Sequence, residues 1–168
     1  PLLVASSMDH ACAPAIIHIL INADASLDAV DRHDQSALLA AALRGTPASV
    51  QALLDHKADP NTKGSGGATV LMQASGKGRY SALQVLLDAK ASVDLTDGIF
   101  NSTALHFAAR RGCARTAAVL LMNHADPHAR NSTDPHCSQG ATAWDLAVLE
   151  NNQAAADVIQ KFMNGTAI

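Results

Sequence analysis

Four side chains that commonly bind metal fall close together in the chain: His124, His128, His136 and Cys137. Imidazole and thiolate are the usual donors to zinc, so a metal centre is the first chemistry to weigh. The spacing is wrong for a structural zinc site, and the residues read as ordinary loop histidines with no metal site. Lys63-Gly64-Ser65-Gly66-Gly67 and Gly76-Lys77-Gly78 combine glycine with lysine as phosphate cradles do. Neither completes a P-loop or a dinucleotide fingerprint, and no strand precedes either, so no cofactor is expected. Catalysis needs a nucleophile, a base and an orienting group converging on a concave site. No such constellation stands out among the Ser, His and Asp residues, and the chain reads as non-enzymatic. Asn101-Ser102-Thr103, Asn131-Ser132-Thr133 and Asn164-Gly165-Thr166 are formal glycosylation acceptors that matter only in a secreted protein.

Composition narrows the alternatives. The 168 residues are 48% hydrophobic and 16% charged, with 12 Lys+Arg against 15 Asp+Glu and a net charge of −3. That balance fits one ordinary domain and fits neither a disordered segment nor a nucleic-acid binder, which needs clustered basic charge. The apolar stretch Ala13 to Ile21 is broken by His18 and then by Asn22 and Asp24, well short of the roughly 18 residues of a membrane span. Aromatics make up only 3% while Ala is abundant, as expected where small residues let helices approach closely. Cys12, Cys113 and Cys137 are odd in number and unrelated in spacing, which argues against a disulfide framework. An intracellular, reducing compartment is expected, the cytoplasm first, with an organelle left open. The start at Pro1-Leu2-Leu3, without Met or a basic segment, reads as an excerpt of a longer chain.

The elements that would position any site emerge from a repeat. Ser36-Ala37-Leu38-Leu39-Ala40-Ala41-Ala42 aligns with the blocks opening at Thr69, Thr103 and Thr142, at offsets of 33, 34 and 39. A second block follows each at a fixed distance, as Val50-x-x-Leu53-Leu54, Leu83-x-x-Leu86-Leu87 and Ala117-x-x-Leu120-Leu121. Ile17-x-x-Leu20-Ile21 lies one period upstream. Between the blocks stand Gly45, Gly78, Gly112 and Asn151, residues that tolerate the left-handed conformation of a helix end. A third block closes each unit at Ala25, Ala58, Ala91 and Ala125. Each unit therefore reads as helix, turn, helix, then a polar loop.

The pattern resembles the ankyrin repeat, whose units of about 33 residues carry a Thr-Pro-Leu-His-x-Ala-Ala block. The match is best at Thr103-Ala104-Leu105-His106-Phe107-Ala108-Ala109. The resemblance implies an all-α solenoid of stacked helix-turn-helix units joined by β-turn or hairpin loops. It spans a single domain over 1–168, with repeats at about 1–28 (truncated), 29–61, 62–94, 95–128 and 129–163. It also implies that His106 makes structural hydrogen bonds between units and that Thr103 caps the helix beside it. In this register the cap glycine of the second helix is replaced by Asp24, Lys57, Lys90 and His124, and Gln160 and Lys161 mark a polar terminal cap. His124 and His128 become cap and closing positions, while His136 and Cys137 fall in an insertion. Lys63–Gly67 becomes an inter-unit loop and Gly76–Gly78 a helix corner.

Function in such an array sits on loop tips and on the concave face of the first helices. Arg44, Lys77 and Arg111 occupy one repeat position, with Arg79 and Arg110 nearby, so a basic stripe is expected on an acidic protein. Two readings stand open. The stripe grips a partner segment bearing Asp, Glu or phosphate, or its cations simply complement helix C-termini. Ile99-Phe100 at the tip of the loop before the fourth unit is either a buried anchor in a complex or a plug over Leu71 or Leu105. Arg32, His33, Gln35, Ser65, Asn101 and Gln139 complete the loop tips as polar rim, and the insertion Arg130 to Gln139 is either a second contact or disordered. The expected function is non-enzymatic protein–protein interaction through the concave face and loop tips. The partner is a protein presenting an acidic segment, not nucleic acid and not a membrane. The alternatives are a permanent structural subunit of a large assembly, or a regulatory domain of a longer protein.

Overall fold

The computed structural model describes residues 1–44, 46–132 and 140–166. Ten α-helices lie among them: α1 Leu2–Ser6, α2 Ala13–Asn22, α3 Ala37–Arg44, α4 Pro47–Asp55, α5 Val70–Gly76, α6 Tyr80–Asp88, α7 Ala104–Arg110, α8 Ala114–Met122, α9 Ala143–Leu149 and α10 Gln153–Met163. Consecutive helices pack in pairs, α1 with α2 through α9 with α10. The first helices form one row, in which α1, α3, α5, α7 and α9 each touch the next, and α2, α4, α6, α8 and α10 form a second. Each pair thus meets only its neighbours along a stack, so the fold is an all-α solenoid.

The opening block explains the first row. Ala and Leu are the best helix formers, and the alanine five places after each opening Ser/Thr, at Ala41, Ala74, Ala108 and Ala147, has 0% exposure. A methyl is all that fits where one helix leans on the next. The second row is glued by Leu53, Leu86, Leu120 and Ile159, also fully buried, each such burial stabilising by about 1.5–3 kcal/mol. Helix starts are fixed by the block's Ser or Thr. The Thr69 and Thr142 hydroxyls accept from the N–H groups of Met72 and Asp145 at 3.2 Å, and Ser36 accepts from Leu39 at the same distance.

Helix ends use the left-handed conformation at two places per unit. At the corner between helices it is taken by Gly78, Gly112 and Asn151, with φ of 65°, 69° and 57°. After the second helix it is taken by Asp24, Lys57, Lys90 and His124, with φ of 60°, 69°, 64° and 67°. The expected replacement of cap glycine is therefore real, and these side chains bear the strain that glycine avoids. Gly45, expected at the remaining corner, lies outside the described residues.

Isolated bridges join Val30 to Ser36, Lys63 to Thr69 and Arg130 to Thr142 at the bases of three connectors. In the loop between α6 and α7 the Asp97 amide donates to the Ser102 carbonyl at 3.1 Å. Adjacent tips touch: the Gly98 N–H donates to the Gly66 carbonyl at 2.9 Å. A Cβ on Gly67 would sit 2.8 Å from the Gly98 nitrogen, so Lys63–Gly67 is glycine-rich for packing between loops. At the far end Gln160 and Lys161 are exposed on α10, as a polar cap requires.

Candidate functional site

The hairpin tips and the first helices bound the concave side, and acidic side chains set the tips. Asp97 Oδ1 accepts from the N–H groups of Phe100 and Ser102, both at 3.0 Å. Two periods upstream, Asp31 Oδ1 accepts from His33 at 2.7 Å and Gln35 at 3.0 Å. Those backbone donors, Gln35 first and then His33, hold the Asp31 carboxyl below its ordinary pKa. Asn131 plays the same part, accepting from the Ala141 N–H at 2.8 Å. The Phe100 tip is also held from the next loop, where the Ser132 N–H donates to the Phe100 carbonyl at 2.7 Å. The result is a fixed shelf on which Ile99 is 61% and Phe100 37% exposed.

His106 lies beneath this shelf at 2% exposure. Its Nδ1 accepts from the Thr103 N–H at 3.1 Å, so the proton sits on Nε2, which donates to the Ala141 carbonyl at 3.0 Å. Burial draws its pKa down, against the opposing pull of the Ala141 bond. A neutral, fully bonded imidazole is a strut tying the fourth unit to the next hairpin. Its resemblance-based role is met, while the Thr103 hydroxyl contacts the same Nδ1 at 2.9 Å.

Beside the shelf runs a groove of about 470 Å³. Leu39, Phe107 and Leu146 supply its apolar floor, Ile99 and Phe100 one wall, and Gln35 and Gln73 amide groups. Of the residues picked from the sequence, His33, Ile99, Phe100, Arg110 and Arg111 line this groove. Arg44, Lys77 and Arg79 instead line a second depression of about 430 Å³, together with Leu3, Val4 and Asp31. Gln35 borders both, so the two adjoin. Arg32 lines neither; its Nε donates to His33 Nε2 at 3.1 Å. Arg110 Nε stands 3.8 Å from Glu150 Oε1, with both side chains about half exposed, an ion pair that solvent screens.

Sequence reasoning missed the groove floor. Gln73, Phe107 and Leu146 sit four places after the opening Thr, and four places before Lys77, Arg111 and Glu150. Residues four apart share a helix face, so the basic positions already pointed to them. His136, Cys137 and Gln139 lie outside the described residues, as does most of the Arg130 to Gln139 insertion. His124 and His128 serve the cap and closing positions, where the His128 N–H donates to Asp126 Oδ1 at 2.8 Å. Among the described residues no three metal-ligating side chains converge, and no helix is long and apolar enough to cross a membrane.

Two comparisons bear on kinship. No curated protein matches the chain. The family model described as ankyrin repeats, in 3 copies, matches residues 2–97 and again residues 71–165. These matches run through both helix rows and every hairpin that frames the groove, and the chain belongs to the ankyrin-repeat family.

Proposed function

We propose that this chain is a non-enzymatic interaction module that holds an extended protein segment along its concave side. Ankyrin repeats are generally protein-interaction modules. The observation that carries the reading here is the shelf: Ile99 and Phe100 stand exposed on a loop held by hydrogen bonds within itself and to the loops on either side. Apolar side chains presented on a fixed backbone lose little entropy on binding, which is how anchor residues contribute most. Arg111 borders the same groove and Arg44 and Lys77 the adjoining depression. An acidic residue flanking an apolar one matches that arrangement, because guanidinium groups bind carboxylates bidentately. The repeat boundaries at 29, 62, 95 and 129 follow as units of this binding surface.

The test uses a displayed library of random twelve-residue peptides. Selection on the wild-type chain is expected to enrich sequences pairing an apolar residue with Asp or Glu. Their affinity should drop at least tenfold on Phe100→Ala and on Arg111→Glu. Selected peptides that bind both variants as tightly as wild type would place the site elsewhere.

A further inference from the structure

On the opposite row of helices, two histidines from successive units meet. His18 lies within α2 and His56 caps the C-terminus of α4, and His18 Nδ1 stands 2.7 Å from His56 Nε2. Both side chains are partly buried, with ring centroids 4.9 Å apart and planes tilted by 55°. At this separation one ring donates its N–H to the lone pair of the other, and a single proton bridges them. The rings share one period step in neither helix: His56 corresponds to Ala23, and His18 to Gln51. The pairing is therefore no product of the repeat, and nothing in the stack requires it.

We propose that His18 and His56 form a two-imidazole chelate for a divalent transition metal ion, Zn²⁺ or another imidazole-preferring cation, clamping the first unit to the second. The geometry supports this without rearranging the backbone. With metal–nitrogen bonds of about 2.0–2.1 Å and an N–metal–N angle of roughly 90–110°, two chelating imidazoles have centroids about 4.5–5.2 Å apart. The present 4.9 Å falls inside that range. The nitrogens must part from 2.7 Å to about 2.9–3.4 Å, and each ring must turn by roughly 20–45° so that its lone pair, now aimed along the N···N line, points to the metal; side-chain rotation can supply this turn. The ring that donates the bridging N–H takes its other tautomer, so that proton moves to its far nitrogen, both facing nitrogens offer lone pairs to the metal, and water completes the coordination. Partial exposure gives the ion a path in. Because both donors exist in place only when α2 and α4 are docked, binding favours the stacked state over the unfolded chain.

The probe is ZnCl₂ added to the full chain, followed by calorimetric titration and thermal melting. His18→Gln, His56→Gln and the double variant are compared with wild type, their helix content checked by circular dichroism. The other histidines and Cys137 are common to all four proteins and supply a shared background. The expected result is a site in wild type that each single variant weakens at least tenfold, with the double variant no worse than either single. The Zn²⁺-dependent rise in melting temperature should disappear in all three. Zn²⁺ affinity should also weaken as pH falls, since protons compete for the same nitrogens. Equal Zn²⁺ binding by wild type and single variants, or losses that add in the double variant, would overturn the chelate. So would a wild-type melting temperature that 1 mM ZnCl₂ leaves unmoved.

Discussion

His106 shows how one side chain can be legible in position and role from the repeat alone. Its neighbours in the same column, Met72 and Asp145, return to the Thr N–H of their own units at 3.3 and 2.8 Å, so the column closes a capping box in three different chemistries. Only the imidazole has a second nitrogen to reach the next unit. His106→Ala removes both bonds and leaves a cavity, with an expected loss of about 2–4 kcal/mol in denaturant unfolding. The pH dependence follows from the depressed pKa. In the unfolded chain the ring protonates below about pH 6.5, whereas the folded protein keeps it neutral until lower pH. The His106 contribution is therefore complete above about 6.5 and declines as pH falls toward the folded-state value. Wild type should exceed His106→Ala by a smaller margin at pH 5.5 than at pH 7.5. The roles of Asp97 and Asn131 were not legible, because a loop carboxylate or amide selects its donors only once the tip has its shape.

Among the elements, helix limits were readable because breakers recur in register. Lys90 and Gly112 show what register alone leaves open. Both have positive φ, of 64° and 69°, yet their surroundings differ. Lys90 is exposed, so Lys90→Gly relieves left-handed strain at no packing cost and should raise stability by about 0.5–1 kcal/mol. At Gly112 a Cβ would come within 2.6 Å of Asn152 Oδ1. That amide donates to the Ala109 and Arg110 carbonyls at 3.0 and 2.9 Å and so ties the end of α7 to the last unit. Gly112→Ala should thus cost about 1–3 kcal/mol, combining backbone strain with a displaced, partly buried amide. Paired thermal melts that moved in the same direction for the two variants would contradict this account. The groove floor was obscure at this scale for a simple reason. Ala40, Gln73, Phe107 and Leu146 share a column yet no chemical type, and a search for common residues passes over the position where units differ.

For the whole molecule, a stack of pairs was legible in full, but the path of the basic line across it was not. A shared repeat position promised one row, whereas Arg44 and Lys77 line one depression and Arg111 its neighbour. All three stand at helix C-termini, Arg44 in the last turn of α3, Lys77 and Arg111 capping α5 and α7. Their favourable interaction with the helix dipoles is worth about 0.3–1 kcal/mol each. Stability therefore gives a scale against which a binding role can be judged. Reversing all three to Glu changes the charge by two at each site and takes the net charge from −3 to −9. The expected stability loss is about 1–3 kcal/mol, since only dipole terms and screened surface repulsion are lost. Association with an acidic peptide depends on the field summed over both depressions and should slow by tenfold or more at low salt. The difference should shrink as added salt shortens the Debye length below the spacing of the charges. Reversing Arg44 and Lys77 alone should reduce the association rate while leaving dissociation from the Phe100 shelf nearly unchanged, because steering acts before contact and anchoring after it. A stopped-flow series across ionic strength separates the two. Association rates that ignore both charge reversal and salt would leave these cations as helix caps and nothing more.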